Sequence, residues 1–166
     1  MEKFIKDFLE ESSKISSDLN VKKIALMVKK IKNCKISKGR MFFLGVGGSA
    51  GNASHAVNDF RKIIGIEAYA PTDNVSELTA RTNDEGWSEI FSQWLITSKL
   101  NSKDIIFIFS VGGGNIKKNI SVNLIKAIKL AKARKSKVLS IVGKADGYAA
   151  KNSDVSLIIP VKNKAK

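Results

Sequence analysis

The sequence has few of the residues that build disulfide frameworks, histidine-rich metal sites or membrane spans. Its 166 residues include one cysteine, Cys34, and one histidine, His55. A single cysteine cannot form an internal disulfide, and this favours a reducing compartment. No apolar run approaches the roughly 20 residues of a membrane-spanning helix, and the amphipathic N-terminal segment lacks the apolar core of a signal peptide. These absences predict a cytoplasmic protein without a membrane partner.

Aromatic residues make up only 7% of the chain, and this scarcity affects how its positive charge is interpreted. The formal net charge is +14, from 29 basic and 15 acidic residues. The lysines are spread over nearly every segment, and no basic stripe is interleaved with aromatic residues. We therefore do not expect nucleic-acid binding as the main role. A basic surface would also attract an anionic sugar phosphate.

The apolar pattern alternates between short runs typical of buried strands and helical spacing. Five strands are predicted at residues 41–44, 65–70, 104–109, 137–142 and 155–159. Strands that alternate with helices predict an α/β fold with a doubly wound, mostly parallel five-stranded sheet, a flavodoxin-like three-layer sandwich. We expect one domain over residues 1–166, with two N-terminal helices in 1–35 and the α/β core in 40–160.

Three details of the helices are also predicted. The helix after the first strand is expected to begin near Gly51, and a break at residues 83–86 is expected to separate two later helices. A long helix is expected after Asn115, up to about Arg134, with Ile120 facing inward.

The most informative stretch, residues 40–60, is predicted to form a strand, a glycine-rich turn and a helix. Gly47 and Gly48 allow a ligand to approach the backbone closely. Ser49 and Asn52 lie where the helix would begin, so unpaired N–H groups and the positive end of the helix dipole face the turn. Phosphate is the anion most often bound in such a place.

His55 and Asp59 stand four residues apart on this helix, so both project from one face. They could form an ordinary surface ion pair or belong to a site. The same stretch also fits a dinucleotide fingerprint, Gly45-x-Gly47-x-x-Ala50, with an acid near the ribose-binding spacing at Glu67. On this stretch alone, the phosphosugar and dinucleotide interpretations have about equal weight.

A second glycine-rich loop, Ser-Val-Gly-Gly-Gly-Asn at residues 110–115, follows the apolar run 104–109. Loops at the carboxyl ends of parallel strands gather at one edge of the sheet. Two such loops can hold a phosphate and its sugar, whereas a dinucleotide site uses one fingerprint. The alternative is that residues 112–114 are a flexible connection, although three glycines lose much conformational entropy on folding.

Together these motifs resemble a sugar isomerase (SIS) domain of the phosphoheptose isomerase group. The resemblance covers essentially the whole chain and depends on Gly-Val-Gly-Gly-Ser49, the His55 and Asp59 pair, Asn83-Asp84, the 110–115 loop and residues 142–148. It implies that residues of both loops contact a sugar phosphate and that Asn83 and Asp84 line the pocket. The predicted substrate-binding residues are Val46, Gly47, Gly48, Ser49, Asn52, Asn83, Asp84, Ser110, Val111, Gly112, Gly113, Gly114 and Asn115.

The resemblance also implies a reaction, the interconversion of sedoheptulose 7-phosphate and a heptose 7-phosphate for lipopolysaccharide or capsule synthesis. A proton would move between C1 and C2 through a cis-enediol. His55 would be a zinc ligand, and Asp59 a zinc ligand and the general base, so both are predicted catalytic and metal-binding residues. No nucleotide cofactor is expected. A homo-oligomer, with a tetramer favoured, is expected to use the N-terminal helices at its interface.

The chain departs from the family pattern at several positions. Asp59 replaces a glutamate, and Val111 and Gly112 replace hydroxyl residues. Family members continue into a C-terminal helix with a glutamine and a second histidine, so the zinc site is expected to be incomplete here. Without that helix, the strand residues 105–109 and 157–159 are expected to be exposed unless a partner covers them. Two alternatives therefore remain: a catalytically impaired sugar-phosphate-binding module and a protein-interaction SIS protein.

Overall fold

The computed structural model describes residues 1–161. Two helices, α1 (Glu2–Ser17) and α2 (Val21–Ile36), precede the alternating strands and helices. The remaining elements, in chain order, are β1 (Met41–Leu44), α3 (Gly48–Asp59), β2 (Ala68–Tyr69), α4 (Val75–Asp84), α5 (Ile90–Thr97), β3 (Ile105–Ser110), α6 (Val122–Ala133), β4 (Lys137–Val142), α7 (Tyr148–Asn152) and β5 (Val155–Ile158). A π-helical turn (Phe60–Ile64) follows α3, and a 3-10 turn (Pro71–Asp73) follows β2.

The five strands form one parallel sheet in the order β2-β1-β3-β4-β5, which confirms the predicted fold class. The chain moves outward from β1 to β2 and then returns to the other side of β1 to form β3. The strand order therefore reverses between β1 and β3, where Leu44 lies opposite Ile108. In open α/β sheets, ligands bind at the carboxyl ends of the strands at such a switch point.

Side chains alternate across the sheet, so each strand contributes to two separate apolar cores. Phe42 and Leu44 point to one face, where they pack with buried residues of α5, α6 and α7. Met41 and Phe43 point to the other face, which is covered by α2 and α3. Helices thus flank both faces, as a parallel sheet with apolar residues on both faces requires.

The expectation of exposed strands at residues 105–109 and 157–159 is wrong for the part of the chain described. Residues 105–108 and Leu157 are buried, and Phe109 and residues 158–159 are partly buried. The reason is that α2 packs across β5, where the Nζ of Lys23 donates a hydrogen bond to the carbonyl oxygen of Ser156 at 2.9 Å. An N-terminal helix therefore covers the face that was expected to lack one.

The predicted helix after Asn115 is also wrong, because α6 begins seven residues later, at Val122. Asn115 and Ile120 instead exchange two backbone hydrogen bonds of 2.9 and 3.0 Å, which close a tight hairpin. Ile120 is 49% exposed and does not face inward. Asn119 and Ser121 have φ values of 52° and 50°, a left-handed conformation that a continuous α-helix excludes.

Helix α1 buries none of its own residues. Its apolar side chains form an exposed stripe of Met1, Phe4, Ile5, Phe8 and Leu9. An exposed apolar stripe of this kind is the usual mark of a surface that packs against another molecule.

Within residues 1–161, no helix is long and apolar enough to cross a membrane.

A buried ion pair joins the beginnings of the two central strands. Asp104, whose side chain is 1% exposed, accepts hydrogen bonds from the backbone N–H of Arg40 at 2.9 Å and from its guanidinium at 2.8 Å. The same guanidinium donates to the carbonyl oxygens of Ser98 and Lys99. The contact with Asp104 raises the pKa of Arg40, whereas burial and Asp104 raise the pKa of the nearby Cys34 thiol to about 11.

Removing the guanidinium should strongly destabilise the fold. Arg40→Ala leaves the Asp104 carboxylate buried without its partner, and we expect the free energy of unfolding to fall by about 3–5 kcal/mol. Urea denaturation measures the change. Lys6→Ala is the matched control, because it breaks an exposed pair with Glu10 (4.0 Å) and should cost at most about 0.5 kcal/mol. Equal losses in the two variants would contradict a structural role for the buried pair.

Candidate active site

Both predicted glycine loops leave the carboxyl ends of neighbouring strands. The first joins β1 to α3, and the second joins β3 to α6. Because β1 and β3 pair in parallel, the two loops emerge side by side at the switch point of the sheet. The structure therefore brings together the two segments that the sequence predicted to form one site.

The first loop presents backbone N–H groups to solvent. Gly47, with φ 61°, is the residue before α3, so the helix begins at Gly48 and not near Gly51 as expected. The N–H groups of Gly47 and Gly48 donate no hydrogen bond to another residue in the range 1–161. They lie at the positive end of the α3 dipole beside the partly buried Ser49, with Asn52 exposed one turn along. This arrangement can bind a phosphate or another anion.

His55 and Asp59 lie on α3, about two and three turns beyond the loop. The Nε2 of His55 is 3.2 Å from an Asp59 carboxylate oxygen, and the two side chains are 78% and 41% exposed. The other carboxylate oxygen accepts a hydrogen bond from Asn58. Asp59 is thus held by two neighbours while part of its carboxylate stays open to solvent, where it could take a proton from a ligand.

The donor set around His55 does not by itself fit zinc. A structural or catalytic zinc site uses three or four protein ligands. Among residues 1–161, no group of three or more histidine, cysteine, aspartate or glutamate side chains could hold a metal ion. His55 and Asp59 supply one imidazole and one carboxylate, so zinc binding by this chain stays a prediction.

The second loop is ordered by its own hydrogen bonds. The hydroxyl oxygen of Ser110 accepts a hydrogen bond from the N–H of Gly113 at 3.0 Å, which leaves its proton free to be donated. Within this loop Gly113 and Gly114, with φ values of 69° and 85°, are buried, whereas Val111 is exposed. The side-chain oxygen of Asn115 closes the hairpin by accepting from Lys118 N–H. Asn115 was predicted to contact the substrate, but its side-chain oxygen is engaged in this structural hydrogen bond.

The second loop is clamped to residues 143–149. The carbonyl oxygens of Gly113 and Gly114 accept hydrogen bonds from Ala149 and Tyr148 at 2.8 and 2.9 Å. A Cβ atom added to Gly147 would collide with the carbonyl oxygen of Gly112. The loop is therefore a fixed part of the site and not a flexible connection.

Asn83 and Asp84 lie in the last turn of α4 and not in the predicted break between helices. The two exposed side chains hydrogen-bond to each other at 2.8 Å. Neither makes a hydrogen bond or ion pair with either glycine loop among the residues described. Their contact with substrate stays a prediction.

The geometry does not favour a dinucleotide site. In that motif, the ribose-binding acid follows a strand at the same edge as the glycine loop. Glu67 instead precedes β2, and its carbonyl oxygen accepts a hydrogen bond from the first residue of β1, Met41. Glu67 therefore lies at the amino edge of the sheet, whereas Gly45 and Gly47 lie at the carboxyl edge.

One further acidic side chain reaches this edge. Asp73, in the 3-10 turn after β2, accepts a short hydrogen bond from the hydroxyl of Ser54, the residue before His55. The sequence interpretation missed it because Pro71 and Asn74 suggested only a turn. Its position directly after a predicted strand was the signal that could have identified it.

The fold and the two loops together define a class, the α/β domains that bind anionic ligands at a topological switch point. The model of the SIS domain family matches residues 3–143 of the chain. The chain therefore belongs to the SIS domain family.

Within that family the chain belongs with the phosphoheptose isomerases. It is 30% identical to the phosphoheptose isomerase of Buchnera aphidicola over 163 residues, which cover 95% of this chain and 77% of the relative. The enzyme of Helicobacter pylori is 28% identical, with 93% and 78% covered. The structure of the phosphoheptose isomerase of Neisseria gonorrhoeae superposes with a TM-score of 0.83 at 26% identity, covering 98% of this chain and 87% of that one.

The start of α3 should not tolerate a side chain at Gly45. A Cβ atom there would collide with the carbonyl oxygen of Ser49, so Gly45→Ala must displace the first turn of the helix. We expect a loss of about 1–3 kcal/mol in the free energy of unfolding, measured by thermal denaturation.

Gly51→Ala is the control for this substitution. A Cβ atom at Gly51 meets nothing within 4 Å, so the variant should be neutral or gain up to about 1 kcal/mol from better helix propensity. A Gly45→Ala protein as stable as Gly51→Ala would show that the loop and the helix are not tightly packed.

Proposed function

We propose that this protein is an aldose–ketose isomerase that interconverts sedoheptulose 7-phosphate and D-glycero-D-manno-heptose 7-phosphate. The names of its relatives support the substrate. The observation that carries the proposal is the pair of glycine loops at the switch point with Asp59 on the adjoining helix. We further propose that it works in the cytoplasm and supplies heptose for lipopolysaccharide or capsule, consistent with its one buried thiol, Cys34.

The geometry divides the reaction into binding and proton transfer. The free N–H groups of Gly47 and Gly48, with the hydroxyls of Ser49 and Ser110, hold the phosphate and so fix the rest of the sugar. Asp59 then acts as general base and removes a proton from C1 of the ketose while O2 takes up a proton from solvent, which leaves a cis-enediol. Return of a proton to C2 and loss of the O1 proton give the aldose.

His55 has a supporting role in this mechanism. Its ring lies against the Asp59 carboxylate and restricts the rotamer of that side chain. A base must lie within hydrogen-bonding distance of the proton that it removes, and aspartate is one methylene shorter than glutamate. The orientation of Asp59 is therefore more critical here than it would be with a longer side chain.

A sugar-phosphate-binding module without turnover is the second candidate. It is favoured by the absence of a third metal-ligating side chain near His55 and Asp59 within residues 1–161. A protein-interaction role is the third candidate, and the exposed apolar stripe of α1 favours it. Both alternatives keep the fold but require no proton exchange at C1.

Proton NMR of sedoheptulose 7-phosphate in deuterated buffer separates the three candidates. The wild-type protein should introduce deuterium at C1 and produce aldose signals. Asp59→Asn should lower the exchange rate by about 10²–10⁴ while ligand line broadening persists, because the phosphate cradle is intact.

Asp146→Asn is the matched control, since it removes an exposed carboxylate from the loop after β4. It should exchange at the wild-type rate. Exchange that is unaffected by Asp59→Asn would remove Asp59 as the base. Line broadening without exchange in the wild-type protein would identify a binding module, and neither signal would favour an interaction protein.

We also propose that copies of this chain associate through α1, with a tetramer as the expected assembly. The stripe of Phe4, Ile5, Phe8 and Leu9 is exposed on a helix that buries none of its own residues. Burial of these side chains between subunits would remove a large apolar surface from water.

Light scattering at micromolar concentration tests this assembly. Phe8→Lys with Leu9→Lys should lower the mass towards that of a monomer, since two charges would have to be buried at the interface. Lys3→Gln with Lys6→Gln, on the same helix, should leave the mass unchanged. A monomeric wild-type protein, or an assembly that survives both lysine substitutions, would contradict the role of α1.

A further inference from the structure

A hollow borders the edge strand β2, and the proposed isomerase reaction does not use it. Its volume is about 350 Å³, within the usual range of small-molecule pockets, and it lies between α3, the π-helical turn, β2, the 3-10 turn, α4 and α5. No residue of either glycine loop lines it, and neither do His55 and Asp59. We name it the β2 hollow; its polar and aromatic residues are Arg61, Tyr69, Asp73, Asn74, Glu77 and Trp94.

The backbone edge of β2 offers little to an added strand. β2 lies at the end of the sheet and has only two residues, Ala68 and Tyr69. The guanidinium of Arg61 donates a hydrogen bond to the carbonyl oxygen of Ala68 at 3.1 Å and lies 5.3 Å from the centre of the Tyr69 ring. Strand addition needs unpaired backbone groups along an edge, so this contact disfavours extension of the sheet by a peptide or by a second copy of the chain. A ligand in the β2 hollow would instead contact side chains.

Arg61 lies in an uncommon backbone conformation. It belongs to the five-residue π-helical turn Phe60–Ile64 that follows α3. π-Helical turns are rare and occur frequently at functional sites. This turn carries none of the residues proposed to bind the sugar phosphate or to transfer its proton. Its place beside the β2 hollow is therefore a first indication that the hollow has a use.

The charges around the β2 hollow differ from those of the chain as a whole. The chain has 29 basic and 15 acidic residues, yet the described lining includes two acids, Asp73 and Glu77, one base, Arg61, and no lysine. Glu77 pairs with Arg81 at 2.9 Å, whereas Asp73 forms no ion pair with any residue in the range 1–161. A cationic ligand would meet the Arg61 guanidinium, and an anionic ligand would meet the Asp73 carboxylate. This balance favours a ligand without charge.

Hydrogen-bond donors and acceptors are both available in the β2 hollow. One carboxylate oxygen of Asp73 accepts from the Ser54 hydroxyl, and the other accepts no hydrogen bond from residues 1–161. The side-chain oxygen of Asn74 accepts from the N–H of Glu77 at 3.2 Å, which leaves the amide NH₂ as a donor. The indole N–H of Trp94 likewise donates to no residue in that range. A hydroxyl group both donates and accepts, so a ligand with several hydroxyls can use all three side chains.

Aromatic rings supply the rest of the surface that would recognise a ligand. Tyr69, which is 39% exposed, and Trp94 are two of the four tryptophan and tyrosine residues in the chain. A sugar ring has an apolar C–H face that packs on aromatic rings and a rim of hydroxyls that hydrogen-bond to carboxylate and amide groups. We propose that the β2 hollow binds an uncharged monosaccharide. Asp73 and Asn74 hydrogen-bond to its hydroxyls, and Trp94 and Tyr69 pack against its ring.

The β2 hollow lies on a different side of α3 from the proposed catalytic pair. Ser54, Val57 and Arg61 are spaced three and four residues apart and so share one face, and Val57 and Arg61 line the hollow. His55 and Asp59 share a neighbouring face and do not line it. Sugar binding in the hollow does not require turnover of a sugar phosphate, so either can fail without the other.

Titration of the ¹⁵N-labelled full chain with D-glucose, D-mannose and D-galactose, followed by the indole N–H signals in proton–nitrogen NMR, tests the proposal. The chain has two tryptophans, so two signals are expected, and Trp87→Phe assigns them. At least one sugar should shift the Trp94 signal saturably at millimolar concentration. The Trp87 signal, from a 46% exposed side chain outside the hollow, should not follow it. No saturable shift with any of the three sugars, or equal shifts of both signals, would overturn the proposal.

Two matched variants test the role of Asp73. Asp73→Asn removes the charged acceptor while keeping the shape of the side chain, and it should weaken sugar binding at least about tenfold. Ser54→Ala removes the hydroxyl that hydrogen-bonds to Asp73 but leaves the carboxylate in place, so it should change affinity less than about threefold. Thermal denaturation checks that both proteins are folded. Equal weakening in the two variants would show that Asp73 acts only as a structural partner of Ser54, and the proposed contact with the sugar would then be wrong.

Discussion

A carboxylate almost fully removed from water lies where the two central strands begin, and it pairs with one guanidinium. Asp104 accepts hydrogen bonds from the side chain and the backbone of Arg40, so the first residues of β1 and β3 have one favourable relative position. From that position the strands run in parallel register to Leu44 and Ile108. Both glycine loops start just beyond these residues, so the alignment of the two loops depends on a contact at the opposite edge.

The sequence predicted β1, β3 and the two loops well because each of these strands is an apolar run that ends at glycine or serine. In a parallel sheet covered on both faces, such runs have few alternative structures. The rule that strands separated by helices lie in parallel predicted that both loops emerge at one edge of the sheet, but not that β1 pairs with β3. The edge of the sheet that carries the candidate site was therefore predictable from the sequence, whereas the switch point between β1 and β3 required the strand order.

Features that depend on tertiary contacts could not be predicted from the sequence. The amphipathic pattern of α2 indicated a buried face but not that Lys23 and its neighbours would cover β5. The start of α6 was misjudged because helical spacing continues through Ile120, whereas left-handed residues at Asn119 and Ser121 create a hairpin. The exclusion of Glu67 from the site likewise depended on whether Glu67 lies before or after β2. The sequence did not define the ends of this two-residue strand closely enough to decide this.

The hairpin between Asn115 and Ile120 is closed at its base by two backbone hydrogen bonds and one from a side chain. It lies outside the clamp that joins the second loop to α7, and its tip residues are exposed. Its length could therefore change through evolution with little disturbance of the sheet, and homologous proteins could differ there in the shape of the surface beside the second loop. For the same reason, Lys117 and Lys118 offer exposed attachment points for a spectroscopic label that would leave the sheet undisturbed.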